Sequence, residues 1–249
     1  MKILALVVWS FSFVLYAAES VQPSENTGNV ENQGNDSASV ESVELVDLDI
    51  LEADDLQCSL VGVPDYFLTG KSSPLACIVG MNEGTRTKKC KFTKHYYGHE
   101  EFSNGEWNTG SFSNNGRGLP PDEADEHWLS EMSNHYSIYV EGVTAAGFDP
   151  DNALIFLTFM DLFTQSPQAA QGWNDEKSAG LGFLGLLKTI QGQPITMKKL
   201  AELRLNAFYN TQGEWEGELS EGRTKRMVKR RSSILNKVVK KKLAGIQCK

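Results

Sequence analysis

Glu83 closes the apolar stretch Leu75-Ala76-Cys77-Ile78-Val79-Gly80-Met81 and opens Glu83-Gly84-Thr85-Arg86, ahead of a run rich in aromatic, Gly and Asn residues. A carboxyl at the end of a buried helix is partly desolvated, which favours its protonated form and suits it to donate a proton to a glycosidic oxygen. Glycoside hydrolysis generally needs a second carboxyl, to activate water or to attack the sugar. Glu100, Glu101 and Glu106 follow in a stretch that reads as a β-ribbon. A ribbon folded beside a helix end can bring one of them to the roughly 6.5–9.5 Å expected of an inverting pair. Tyr96, Tyr97 and His99 beside them place Glu101 and Glu100 ahead of Glu106, and spacing does not choose between the first two. The candidate catalytic residues are therefore Glu83, Glu101 and Glu100.

Around them stand groups suited to a sugar. Tyr96, Tyr97 and Trp107 offer aromatic faces, while His99, Asn104, Asn108 and Ser111 offer hydrogen bonds. Arg86, three residues beyond Glu83, is placed to pair with a carboxylate or tune the acid. His95 and His99 stand four apart, a spacing that converges on a helix but not on a strand or loop. No metal or other cofactor is expected, and there is no Gly-x-Ser-x-Gly elbow, phosphate loop or His-Glu-x-x-His.

The elements that must position these groups read as helix, small sheet, then several helices, an α+β order. The first helix is predicted over Pro74 to Asn82. Aromatic and β-prone residues from Phe92 to Ser113, broken by Asn104-Gly105, predict a two- or three-stranded antiparallel sheet beside that helix end. Pro120-Pro121-Asp122-Glu123 opens a helix carrying Trp128, Met132, Tyr136 and Val140. Asp151 is the expected cap of a central helix to Phe163, apolar on nearly all sides. Leu181 to Ile190 is helix or loop, Thr196 caps a helix to Tyr209, and a basic helix runs from about Thr224 to Leu243.

With 249 residues, 40% of them hydrophobic, the chain can bury one sizeable core. Lys2, the apolar stretch Ile3 to Ala17 and the small residues Ala18 and Ser20 read as a secretory signal over residues 1–20. Residues 21–55 hold ten acids and no Lys or Arg. They read as an acidic disordered linker, before a domain over residues 56–249. No stable membrane span is expected once the signal is removed. In an exported chain the four cysteines favour two disulfides. The pairings expected are Cys77 with Cys90, around Glu83, and Cys58 with Cys248, joining the domain's ends. Residues 223–249 carry eleven Lys or Arg and no acid. They lack the interleaved aromatics of a single-strand binder, so no nucleic-acid partner is expected.

At Glu83-Gly84-Thr85-Arg86 and Gly98-His99 the chain resembles phage-type lysozymes, in which the catalytic Glu sits at a helix end in a Glu-Gly-x-Arg context. The order of elements is also similar: an acid-capped helix near Asp122-Glu123-Ala124, a central apolar helix, and a terminal helix with Arg223, Arg226, Arg230 and Arg231. The likeness spans about Pro74 to Val239. It departs where that family commonly has an Asp nine residues after its Glu and a Thr six further on, since these positions hold Phe92 and Gly98. The interval from Glu83 to Glu101 is instead similar to the longer acid spacing of chitosanases in the same superfamily. The run Tyr96-Tyr97-Gly98-His99 looks like one in exported bacterial lysozyme-like proteins. The resemblance implies a mostly helical lysozyme-like domain and endo-cleavage of an aminosugar polysaccharide. The expectation is a secreted or periplasmic glycosidase with peptidoglycan as favoured partner. The alternative is a non-catalytic saccharide-binding or envelope-associated protein on the same scaffold.

Overall fold

Ser73 starts the first helix, α1 (Pro74–Glu83): its Oγ accepts from the Ala76 N–H at 2.9 Å, and Pro74 occupies a position where a missing N–H costs nothing. Gly84, at φ 79°, ends it in the left-handed conformation. Glu83 is thus the last helical residue. The computed structural model describes residues 58–61, 67–100, 105–113, 118–172, 180–211, 221–241 and 246–248. All of these lie in one compact unit, Val43–Lys249. The expected signal, and the expected linker over residues 21–55, lie outside the described residues, as do Glu101 and Asn104.

The described chain is mostly helical with two small antiparallel sheets, the α+β class expected. Strand β1 (Cys58–Leu60) pairs with the last strand, β4 (Ile246–Cys248), in a register that sets Cys58 opposite Cys248 and ties the domain's ends together. The second sheet joins β2 (His99–Glu100) to β3 (Trp107–Asn108), with His99 opposite Asn108 and Glu100 opposite Trp107. It is two-stranded, within the expected two or three, and its described strands are short. Thr93 caps a 3-10 turn over Lys94–Tyr97, which takes up residues expected in a strand.

Among the described residues, six further α-helices follow α1 before the terminal one. α2 (Pro121–Asn134) and α3 (Tyr136–Ala145) break at His135, where one continuous helix was expected. α4 (Ala153–Gln165) is the central helix, with every side chain from Ala153 to Phe163 buried. Its cap is Asn152 and not Asp151, because Asn152 Oδ1 accepts from both Leu154 and Ile155 N–H. Short α5 (Pro167–Gln171) and α6 (Phe183–Leu187) lead to α7 (Met197–Asn210), capped by Thr196 as expected. The basic helix α8 (Glu221–Lys240) comes last. Around α4 pack α1, α5, α7 and α8. A helix apolar on all sides is stable only with neighbours on all sides. Among the described residues no helix is long and apolar enough to cross a membrane.

Candidate functional site

α4 carries one acid through this core. Asp161 is fully buried, and a lone carboxylate there would cost several kcal/mol, on the order of the effective penalty for a buried ion. Two arginines meet it. Arg231 of α8 donates from Nε to Oδ2 at 2.8 Å and from Nη2 to Oδ1 at 2.7 Å. Arg204 of α7 donates from Nη1 to Oδ2 at 2.6 Å, and Asn82 of α1 from Nδ2 to Oδ1 at 2.7 Å. Burial alone would push the Asp161 carboxyl up. The charges of Arg231 and Arg204 and the hydrogen bonds from Arg231 and Asn82 override it and hold the carboxyl well below the usual carboxylate range. Burial likewise works against the Arg231 cation, and Asp161 and then Glu83 more than restore it.

Glu83 stands at the outer end of this chain. Nη2 of Arg231, besides its bond to Asp161, donates to Glu83 Oε1 at 2.6 Å. The Glu83 side chain is 19% exposed against 1% for Arg231, so the network runs from the core to a carboxylate that reaches solvent. Arg230, the neighbour on α8, donates to the Asn82 carbonyl at 3.0 Å and pins the last turn of α1. The expected acid is therefore part of a four-residue ion network, Glu83–Arg231–Asp161–Arg204, fixed by four helices.

A second buried network anchors the sheet to the same helix end. Arg86 is buried, its stem lying across Gly80, where a Cβ would stand 2.7 Å from Arg86 Cγ. Its Nε donates to Ser111 Oγ at 2.6 Å and its Nη2 to the Lys71 carbonyl at 2.6 Å, with Asp125 Oδ2 at 3.3 Å. Ser111 in turn donates through Oγ to Asp125 Oδ2 at 2.7 Å. Thr85 Oγ1 donates to the Ser111 carbonyl at 2.8 Å, and Thr93 Oγ1 to the Gly84 carbonyl at 2.8 Å. Arg86, Asn108 and Ser111, expected among the substrate contacts, are buried, and Arg86 and Ser111 hold the loops in place. Tyr96 is buried too: its hydroxyl donates to Asp122 Oδ1 at 2.7 Å, and burial pushes the phenol above its ordinary range.

The remaining sugar-contact candidates divide by exposure. Tyr97 is 66% exposed and Trp107 56%. The Trp107 indole lies on Gly98, where a Cβ would come within 2.3 Å of the ring, so only a residue without a side chain permits this packing. Glu100 is exposed on β2, and Glu106 is exposed just before β3. Neither is drawn into the Glu83 network. His99 is oriented by its neighbours. The His95 carbonyl 3.0 Å from Nδ1 can only accept, so Nδ1 carries a proton, and Nε2 and Ser113 Oγ share a hydrogen bond at 3.1 Å. Among the described residues no three His, Cys, Asp or Glu side chains form a metal-holding group.

The disulfide expected between Cys77 and Cys90 is present. It ties the middle of α1 to the loop that follows Glu83. Cys58 is also disulfide-bonded. A shallow apolar cavity of about 690 Å³ lies apart from this region, along α3 between Tyr136 and Ala145.

Comparison with protein-family models, curated proteins and solved structures found no match. Asp161 and Arg204 escaped the sequence reading, and Arg231 entered it only as one of several arginines on a basic helix. Their signal was present: an acid inside Leu157-Thr158-Phe159-Met160-Asp161-Leu162-Phe163 and a cation inside Leu203-Arg204-Leu205 must find partners, because neither charge is stable alone in a core.

Proposed function

We propose that this protein is an exported glycoside hydrolase of lysozyme-like type, cleaving an aminosugar polysaccharide with peptidoglycan favoured. One observation carries the reading: Glu83, the last residue of a capped helix, reaches solvent while its carboxylate is held from behind by Arg231. A catalytic carboxyl needs a fixed position and a face open to solvent; the Arg231 bond supports the first for Glu83, and its 19% side-chain exposure supports the second. Asp161, held in its ionised form, keeps both guanidiniums partnered whether Glu83 carries its proton or has given it up. In the proposed single displacement, Glu83 protonates the departing glycosidic oxygen. Water attacks the anomeric carbon from the opposite face, and Glu100 or Glu101 takes the water's proton. Tyr97 and Trp107 supply sugar-stacking faces, and His99 a polar neighbour. The Cys77–Cys90 disulfide agrees with an oxidising compartment, secreted or periplasmic. Chitosan, a polycation, is a poorer substrate for a chain with a basic terminal helix.

The Glu83–Arg231 ion pair favours a second reading, a non-catalytic saccharide-binding or envelope-associated protein in which Glu83 serves stability. Release of reducing ends from purified peptidoglycan, by wild type and Glu83→Gln, separates the two. Turnover by wild type that Glu83→Gln abolishes supports the hydrolase; binding without turnover in both supports the module.

A further inference from the structure

The loop between α1 and β2 has a composition that the proposed chemistry does not require. From Gly84 to Gly98 there are four lysines, Lys88, Lys89, Lys91 and Lys94, and no Asp or Glu. All four lysines are exposed, and none forms an ion pair among the described residues. Every exposed large aromatic side chain among the described residues lies on this loop or against it: Phe92 at 39%, Tyr97 at 66% and Trp107 at 56%. One face of Phe92 is already used, since its ring stacks on Tyr96 at 3.9 Å with the Arg86 guanidinium 4.5 Å from its centroid. Tyr97 and Trp107 are the open plates.

The loop is also held rigid. Cys90 is fixed to α1 by the disulfide, Thr87 N–H donates to the Lys91 carbonyl at 2.8 Å, and Thr93 N–H donates to the Thr85 carbonyl at 2.9 Å. Charges and plates on a preorganised loop bind with little backbone ordering penalty. The tether from Thr93 Oγ1 to the Gly84 carbonyl starts this surface one residue from Glu83.

We propose that residues 87–97, with Trp107, form a subsite for a glycan strand bearing carboxylates, continuous with the Glu83 site. The lysines meet the carboxylates, and Tyr97 and Trp107 stack on sugar faces. A lipid surface fits less well, because one face of Phe92 is stacked on Tyr96 and residues 84–98 add no Leu, Ile, Val or Met, leaving Tyr97 and Trp107 with no aliphatic side chain beside them to bury among acyl chains. The ligand class rests on the glycan-processing reading above, but the subsite does not depend on turnover.

The test is therefore a binding measurement in the Glu83→Gln background, by calorimetry on the full chain. Three probes are used: soluble uncross-linked peptidoglycan strands with free peptide carboxylates, the same strands with those carboxylates converted to amides, and phosphatidylglycerol vesicles. The parent should prefer the carboxylate strands, and added salt should erase the preference. Replacing Lys88, Lys89, Lys91 and Lys94 together by Gln should weaken that binding about tenfold at low salt and leave the amidated strands unaffected. Tyr97→Ala with Trp107→Ala should weaken both. Arg226→Gln with Lys237→Gln, on exposed positions of α8, should lower affinity less than the loop variant. Equal binding of carboxylate and amidated strands overturns the subsite. So does an unchanged affinity in the loop variant, an equal loss in the α8 variant, or lysine-dependent binding to vesicles alone. Intact binding with no turnover by wild type would remove the hydrolase reading and leave the subsite standing.

Discussion

Arg231 and Asp161 form a two-pronged ion pair closed off from water, Nε to Oδ2 at 2.8 Å and Nη2 to Oδ1 at 2.7 Å, with neither side chain more than 1% exposed. The pair joins α8 to α4 at the centre of the domain. Asp161→Asn keeps the shape and removes the charge, leaving two buried guanidiniums without a counter-ion. Breaking such a pair from one side costs about 3–5 kcal/mol. Urea unfolding of the variant should show that loss, and a change under 1 kcal/mol would mean the network is not central to the fold.

Two buried aspartates should move acid stability in opposite directions. The Asp161 carboxyl is held below its ordinary value, so its contribution is full above about pH 4, the unfolded value, and is lost as pH falls from there. The Asp125 carboxyl is pushed up, chiefly by burial, against hydrogen bonds from Ser111 and the charge of Arg86. Its contribution is present below about pH 4 and is lost as pH rises through the folded value. Unfolding free energies between pH 2 and 6 should therefore fall less steeply toward acid in Asp161→Asn than in wild type, and more steeply in Asp125→Asn. Parallel profiles for all three proteins would contradict the assignment.

Much of this scaffold was legible because local signals agreed with the tertiary answer. Ser73-Pro74 and Gly84 bound α1, Thr196 caps α7, and the continuous apolar run of α4 demanded a central position. The break at His135 was not legible, since Trp128, Met132, Tyr136 and Val140 keep helical spacing across it. The site divides the same way. Glu83 could be placed at a helix end from sequence, but its partner Arg231 lies 148 residues away, and only packing of α8 against α1 brings the two together. Arg86 was legible as a residue placed to pair with a carboxylate, which Asp125 supplies, whereas Ser111 looked like a cleft residue because its type is polar. Both are buried supports, as the hydrogen bonds from Arg86 to the Lys71 carbonyl and from Ser111 to Asp125 show.

The Cys77–Cys90 disulfide closes a short loop, with the two residues 13 apart in sequence. On loop-closure entropy its removal should cost about 3 kcal/mol. Cys90 also sits at φ 58°, a conformation that costs an L residue roughly 1–2 kcal/mol. The pair Cys77→Ala/Cys90→Gly should therefore unfold at higher urea than Cys77→Ala/Cys90→Ala. The reverse order would show that Cys90 is not held in the left-handed region.

Glu83→Gln should separate stability from activity. The substitution removes a charge that is one-fifth exposed, and Arg231 keeps both of its bonds to Asp161. The fold should lose only about 1 kcal/mol, the scale of a single hydrogen bond made weaker but not orphaned. If Glu83 donates the proton, turnover should fall by about 10²–10⁴ while glycan affinity holds. A purely structural Glu83 would behave differently, with Glu83→Gln and Glu83→Ala lowering stability in step with any change in function. Unfolding midpoints and reducing-end release, measured on the same preparations, decide which pattern holds.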